Sequence, residues 1–86
     1  MANIASQKKR ILRSAREHDE NRRLTSAVKT HFHRLESAVS GGDAASVQEE
    51  HRALVSRIDR AVQRGALHHR NGARKKARAA RLASRI

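Results

Sequence analysis

The last fourteen residues of the chain, ARKKARAARLASRI at positions 73–86, contain six cations and no acid. Arginine side chains can donate paired hydrogen bonds to phosphate oxygens, and lysine side chains act as point charges toward the same group. The residues between the cations are mostly small, so this segment offers little to an apolar core. So many like charges repel one another unless an anion compensates them. The segment therefore favours a polyanionic partner.

The charges of the whole chain divide unevenly along its length. Residues 1–23 hold seven cations and three acids, residues 24–40 hold two and one, residues 41–65 hold four of each, and residues 66–86 hold seven cations alone. The net charge is +12 and the isoelectric point is about 11.8. An ordinary solvated face is the alternative interpretation, but it leaves the last segment uncompensated. Two basic ends around a neutral middle predict binding to nucleic acid or to an anionic membrane.

The acidic and histidine residues form no catalytic or metal-ligating motif. The only adjacent glycines are followed at once by Asp43, whose carboxylate would repel a phosphate, so they do not form a phosphate-binding loop. Neither His31 with His33 nor His68 with His69 has the spacing that places two imidazoles on one helical face. There is no cysteine to supply a thiolate. We therefore expect no catalysis, no metal and no cofactor.

Glycines divide the chain, which has no proline, into three segments. Gly41 and Gly42 offer left-handed positions that end a helix, and Asp43 is a suitable N-cap for the next one. Gly65 stands where a second helix would end. Without proline each helix can run unbroken between these points. The signals predict an all-α fold with helices at about residues 6–40, 44–64 and 68–85.

Apolar side chains recur at steps of three and four residues in the first two segments, as in amphipathic helices. Two such stripes joined by a tight Gly-Gly turn predict an antiparallel helical hairpin. The first stripe consists of Leu24, Val28, Phe32, Leu35 and Val39. The second consists of Val47, Leu54, Val55, Ile58 and Val62.

The third segment has few large apolar residues. We expect Ala73, Ala77 and Ala80 to form a narrow face that docks on the hairpin, with Leu67 packing at its start. The fold class that follows is a three-helix bundle. Its core is thin, because apart from Met1 only sixteen apolar residues are larger than alanine. We expect the isolated chain to be marginally folded and a partner to complete it.

Upstream of the first stripe the helical pattern changes character. Residues 15–23 contain no large apolar side chain, yet they contain no helix breaker and many helix formers. Ile4, Ile11 and Leu12 are sparse anchors before them. The first helix should therefore extend beyond the bundle, with a total length of roughly 50 Å. A polar helix that projects alone is unstable in water and would be ordered against RNA or DNA.

Two further counts narrow the class of partner. The chain has one aromatic residue, so it lacks the rings on which single-stranded bases usually stack. No apolar run approaches the length of a signal-peptide core or a membrane span. The alanine face is also too small for a helix that lies on a membrane surface. A nucleoid-type protein that compacts DNA remains an alternative to an RNA-binding protein.

Four stretches of the sequence carry a resemblance that covers nearly the whole chain. They are MANIASQKKR at 1–10, NRRLTSAVKT at 21–30, GGD at 41–43 and GALHHRNGARKKAR at 65–78. Together they resemble the bacterial small-subunit ribosomal protein S-twenty family. The opening stretch and the His-Arg-Asn sequence at 69–71 are its specific parts.

The resemblance implies one domain, residues 1–86, that binds small-subunit ribosomal RNA early in assembly and contacts more than one RNA helix. From the chemistry of its cations we expect it to bridge phosphates of these helices. It also implies a cytoplasmic location in the small ribosomal subunit, few or no protein neighbours, no membrane contact and no homo-oligomer. At matching positions it implies these RNA ligands: Asn3, Lys8, Lys9, Arg10, Arg13, Arg22, Arg23, Arg70, Asn71, Arg74, Lys75, Lys76 and Arg78. We add three cations of the same segments, Arg16, Arg81 and Arg85.

Overall fold

The computed structural model describes residues 4–86, which form three α-helices and no strand. Helix α1 spans Ile4–Gly41, α2 spans Ala44–Gln63 and α3 spans His69–Ala83. The predictions of an all-α fold and of a long first helix that extends beyond a bundle are confirmed. The third helix is shorter than expected, since it ends at Ala83.

A two-residue turn reverses the chain between α1 and α2. Gly42 adopts a left-handed conformation, with φ of 73°, and Asp43 follows as the N-cap of α2. The Asp43 carboxylate accepts hydrogen bonds from the Ala45 amide at 3.1 Å and from the Ser46 hydroxyl at 2.8 Å. The Ser46 bond, followed by the amide bond, lowers the pKa of Asp43. The carboxylate therefore occupies the helix N-terminus that an anion would otherwise use.

The hairpin core consists of the two predicted apolar stripes except Val55 and Val62, which are only half-buried and lie outside the core cluster. One additional small residue, Ala61, is fully buried between them. No polar or charged side chain is buried among the residues that the structure describes. Leu24 and Val39 pack at the margins of this cluster. The buried apolar residues are Val28, Phe32, Leu35, Val47, Leu54, Ile58, Ala61 and Ala79.

The end of α2 is closed by hydrogen bonds that fix the path into α3. Gly65 is left-handed, with φ of 78°. The amides of Ala66 and Leu67 both donate to the carbonyl of Ala61, at 2.8 and 3.2 Å. This arrangement satisfies a carbonyl that the end of a helix otherwise leaves unpaired. Leu67 is thereby held against the core, as expected for the start of the third segment.

The face through which α3 docks differs from the predicted one. Ala73, Ala77 and Ala80 are exposed, whereas Gly72 and Ala79 are buried. Alanines occur on both sides of this helix, so their spacing alone did not identify the packed face.

Gly72 gives the physical reason for this register. A Cβ atom at that position would lie 2.5 Å from Cγ2 of Val62 on α2. Only a residue without a side chain lets the two helices approach so closely. Leu82 and Ala83 then reach the core from the same side of α3.

The bundle ends where the C-terminus of α2 meets α1. Nη1 of Arg64 lies 3.4 Å from Oε1 of Glu20. Residues 4–20 are all exposed and project beyond this point for roughly 25 Å. We call these residues the overhang. The prediction that Ile4, Ile11 and Leu12 are anchors is wrong. These residues lie beyond the end of α2, and 69, 68 and 58 % of their respective surfaces are exposed.

Candidate nucleic-acid interface

Cations cover roughly 200° of the circumference of the overhang, and the remaining side of the helix carries none. Lys8, Lys9 and Arg10 are consecutive, and successive residues of an α-helix are rotated by about 100°. Their side chains therefore leave the helix in three directions, and all are exposed. Arg13 and Arg16, one turn further on, are exposed as well. A helix of this kind can meet anions on more than one side.

One overhang cation has a partner inside the helix, and one predicted ligand cannot be placed. Nε of Arg13 lies 3.8 Å from Oε1 of Glu17, in a pair that is mostly exposed. Exposed pairs of this kind contribute about 0–1 kcal/mol, so a phosphate can displace the glutamate easily. Asn3 lies outside the described residues.

The outer side of α3 and the turn that follows it carry a row of arginines. They follow one another at steps of four, four, three and four residues, which keeps them on one side of a helix. That side is opposite Gly72 and Ala79, and every member of the row is exposed. Asn71 is exposed beside it. We call Arg70, Arg74, Arg78, Arg81 and Arg85 the arginine stripe.

Two of the predicted RNA ligands on α3 also hold the helix on the bundle. Nζ of Lys76 lies 2.6 Å from Oδ1 of Asp59 on α2. Nη2 of Arg78 lies 3.6 Å from Oε1 of Glu36 on α1. Their charges are therefore partly compensated within the chain. Within residues 4–86 the other arginines of the stripe form no ion pair, so they are the freer cations of α3.

The single aromatic side chain is not available to a base. Phe32 is 6 % exposed, and the guanidinium carbon of Arg78 lies 4.9 Å from its ring centroid. The ring serves the core and supports the arginine by a cation–π contact. Phe32 is therefore not free to stack on a nucleotide base.

The two basic surfaces meet along one side of α1. Arg22, Lys29 and Glu36 follow one another at seven-residue intervals, so they lie on nearly the same side of that helix. Glu36 contacts Arg78, which shows that this side faces α3. Lys8 lies two such intervals before Arg22, in the overhang, with an alanine at the intermediate position, and Arg23 is exposed next to Arg22. Cations therefore occur on this side of α1 both in the overhang and in the bundle.

Lys29 and His33 are not among the RNA ligands predicted from the sequence. Both line a groove between α1 and α3, together with Asn71, Lys75 and Arg78. The seven-residue interval from Arg22 was the available signal for Lys29. This interval did not identify Lys29 as a ligand, because Lys29 stands among apolar residues of the hairpin stripe.

The histidines play structural parts where the structure defines them. Burial lowers the pKa of His31, and the positive charges of Arg34 and Arg57 lower it further, while Glu50 opposes them. His31 is therefore neutral near pH 7. Nδ1 of His68 accepts a hydrogen bond from the Arg70 amide at 3.2 Å and so caps α3.

Other kinds of site find no support in the described part of the chain. Among residues 4–86 no three metal-ligating side chains lie together. No helix formed by these residues is long and apolar enough to cross a membrane.

Comparisons of the sequence relate this chain to known proteins. The family model described as Ribosomal protein S20 matches residues 2–84. The small ribosomal subunit protein bS20 of Corynebacterium diphtheriae is 36% identical over 86 residues, covering 100% of this chain and 99% of the relative. That of Acaryochloris marina is 43% identical over 89 residues, covering 95% of each chain. That of Koribacter versatilis is 42% identical over 78 residues, covering 91% of this chain and 88% of its own.

Proposed function

The chain belongs to the ribosomal protein S20 family, and from this premise we propose that it binds small-subunit ribosomal RNA directly. It is a structural constituent of the small ribosomal subunit in the cytoplasm and not an enzyme. We propose that residues 1–86 act as a single RNA-binding domain. The protein stabilises folded RNA by neutralising phosphates where separate RNA helices approach each other.

One observation carries this proposal above the others. Residues 4–20 are all exposed, with Glu20 paired to Arg64 at the end of the bundle, and their cations cover more than half of the helix circumference. A helix that makes no tertiary contact is marginal in water. RNA strands packed around it would supply both the missing contacts and the compensating charge. The overhang and the arginine stripe then hold different strands at a fixed separation.

The chemistry of these residues favours recognition of RNA shape. The arginine guanidinium group matches phosphate geometry, and asparagine can reach ribose hydroxyls. The proposed ligands on α1 are Asn3, Lys8, Lys9, Arg10, Arg13, Arg16, Arg22 and Arg23. Those on α3 and the residues after it are the arginine stripe with Asn71, Lys75 and Lys76. Lys76 and Arg78 have a share in docking α3 as well.

The same surface properties support RNA as the main partner, with few protein neighbours and no homo-oligomer. Interfaces between proteins usually have an apolar centre. The exposed large apolar residues within 4–86 are Ile4, Ile11, Leu12 and Ile86, three of them scattered along the overhang. The bundle itself exposes charge and small residues.

Sedimentation of a tagged chain in a cell lysate tests the proposal. We expect the protein to travel with small ribosomal subunits. A matched variant in which Arg70, Arg74 and Arg81 are replaced by alanine should shift toward the unbound fractions in high salt. A wild-type chain that stays at the top of the gradient, away from small subunits, contradicts the proposal.

A competition experiment separates ribosomal RNA from DNA as the target. The protein is bound to a labelled transcript of small-subunit ribosomal RNA and challenged with unlabelled duplex DNA. We expect the RNA to be displaced only by a large excess of DNA. Equal competition by DNA and by the same RNA would favour the nucleoid-type alternative.

A further inference from the structure

A groove between α1 and α3 gathers cations from both helices. Lys29 and His33 line it from α1, and Asn71, Lys75 and Arg78 line it from α3. Its volume is about 390 Å³, enough for a group the size of a nucleotide. No acidic residue lines it. The positive charges of Lys29 and Lys75 repel each other across the groove unless an anion occupies the space between them.

The floor and one end of the groove are closed. Val28, Phe32 and Leu67 form the apolar floor. Glu36 lies at the end, where its Oε1 is 3.6 Å from Nη2 of Arg78 and its Oε2 is 3.7 Å from Nδ1 of His33. Glu36 thus fixes the direction of Arg78 and partly neutralises it. Within residues 4–86 no ion pair compensates the charge of either lysine.

The hydrogen-bonding groups of the groove are mostly donors. Thr25 also lines it, but its hydroxyl donates to the carbonyls of Asn21 and Arg22, both at 3.1 Å. The lysine ammonium groups are donors only, as is the guanidinium group of Arg78. A ligand must therefore accept hydrogen bonds and carry negative charge. A backbone phosphate meets both requirements.

We infer that this groove is a defined phosphate seat, in which Lys29 of α1 and Lys75 of α3 bind the same stretch of ribosomal RNA backbone. The inference rests on the proposed function and deepens it, because it adds Lys29 to the RNA ligands and assigns two residues on different helices to one place on the RNA. Binding there also ties α3 to α1 through the ligand.

Directed cleavage from single cysteines tests the shared position. The chain has no cysteine, so Lys29→Cys and Lys75→Cys each accept an iron chelate at one place. Each labelled protein is bound to a small-subunit ribosomal RNA transcript, and hydroxyl radicals mark the nearby nucleotides. We expect the two cleavage sets to overlap. Arg52→Cys, on the exposed side of α2, should give a separate or weak set.

An affinity measurement on the same RNA complements the mapping. Lys29→Ala should weaken binding about tenfold at moderate salt, since a charged hydrogen bond is lost. Arg52→Ala removes one charge elsewhere and should have a much smaller effect. Unchanged helicity by circular dichroism confirms that the bundle persists.

The outcomes distinguish this inference from the broader proposal. If the wild-type chain binds the RNA but Lys29→Ala behaves like Arg52→Ala, or if the two cleavage sets are separate, the phosphate seat is wrong and the proposed function stands. If the wild-type chain does not bind the RNA at all, both are wrong.

Discussion

The two parts of α1 form one continuous helix with opposite surroundings. Residues 24–39 bury Val28, Phe32 and Leu35 against α2 and α3. Residues 4–20 are all exposed and carry cations over more than half of the helix circumference. The bundle part is stabilised by apolar contacts within the chain, and the overhang must be stabilised from outside. Substitutions in the bundle part should therefore lower the free energy of unfolding. Substitutions in the overhang should lower the affinity for RNA.

The largest expected effect is the loss of the bundle in Leu54→Asp. Leu54 is fully buried, and an unpaired carboxylate there would cost about 4 kcal/mol or more. A core this small supplies only about 3–5 kcal/mol, so the variant should unfold. Circular dichroism during urea titration measures this. Ser56→Asp, on the exposed side of α2, is the control and should stay folded.

The second expected effect concerns binding alone. Replacing Arg70, Arg74 and Arg81 by alanine should reduce affinity for small-subunit ribosomal RNA by about ten- to a thousand-fold at low salt. Helicity and urea stability should change little, because these side chains are exposed and alanine favours helix. Filter binding and circular dichroism measure the two properties. If the free energy of unfolding fell as much as the free energy of RNA binding, the distinction between core residues and RNA-binding residues would be wrong.

The third expected effect is smaller and bears on how α3 docks. In Gly72→Ala the new methyl group would meet Val62, whose branched side chain has little freedom to move. Overpacking of this kind costs about 1–3 kcal/mol, part of which the better helix propensity of alanine offsets. Adding Val62→Ala should restore room for the methyl group. In Gly41→Ala the added Cβ meets nothing within 4 Å, so that variant is the control and should not destabilise the chain.

The sequence specified the hairpin well because large apolar residues leave no ambiguity in helical phase. The stripes through Phe32 and Leu54 and the turn at Gly42 were all predicted. The packed face of α3 was not, because alanines lie on both sides of that helix and differ little in burial energy. The close approach at Gly72 and the ion pair between Lys76 and Asp59 decide the register. Both depend on the position of α2.

The candidate interface was predictable in composition but not in detail. Charge counts identified the two basic ends, yet they could not separate Lys76 and Arg78, which pair with acids, from the freer cations of the arginine stripe. Lys29 was missed because its neighbours along the chain belong to the core. Its role depends on which side of α1 faces α3, and only the packed structure defines that side.

The smallest expected effect is a pH dependence of the stability of the bundle. The folded state lowers the pKa of His31 below its usual value near 6.5, so the unfolded chain binds the proton more readily. The stability linked to this histidine is complete above pH 6.5 and declines as the pH falls below it. Thermal unfolding between pH 5 and pH 7.5 measures the decline. It should be weaker in His31→Gln, which does not titrate, and an identical decline in that variant would rule out His31 as its source.

The salt dependence of binding to small-subunit ribosomal RNA tests the central claim most directly. If six to ten cations of the overhang and the arginine stripe contact phosphates, affinity should fall by roughly 10³- to 10⁵-fold between 50 and 200 mM salt. Removing residues 1–20 should then flatten this dependence while the bundle stays folded. A full-length chain whose affinity changes by less than about tenfold over that range would contradict the account.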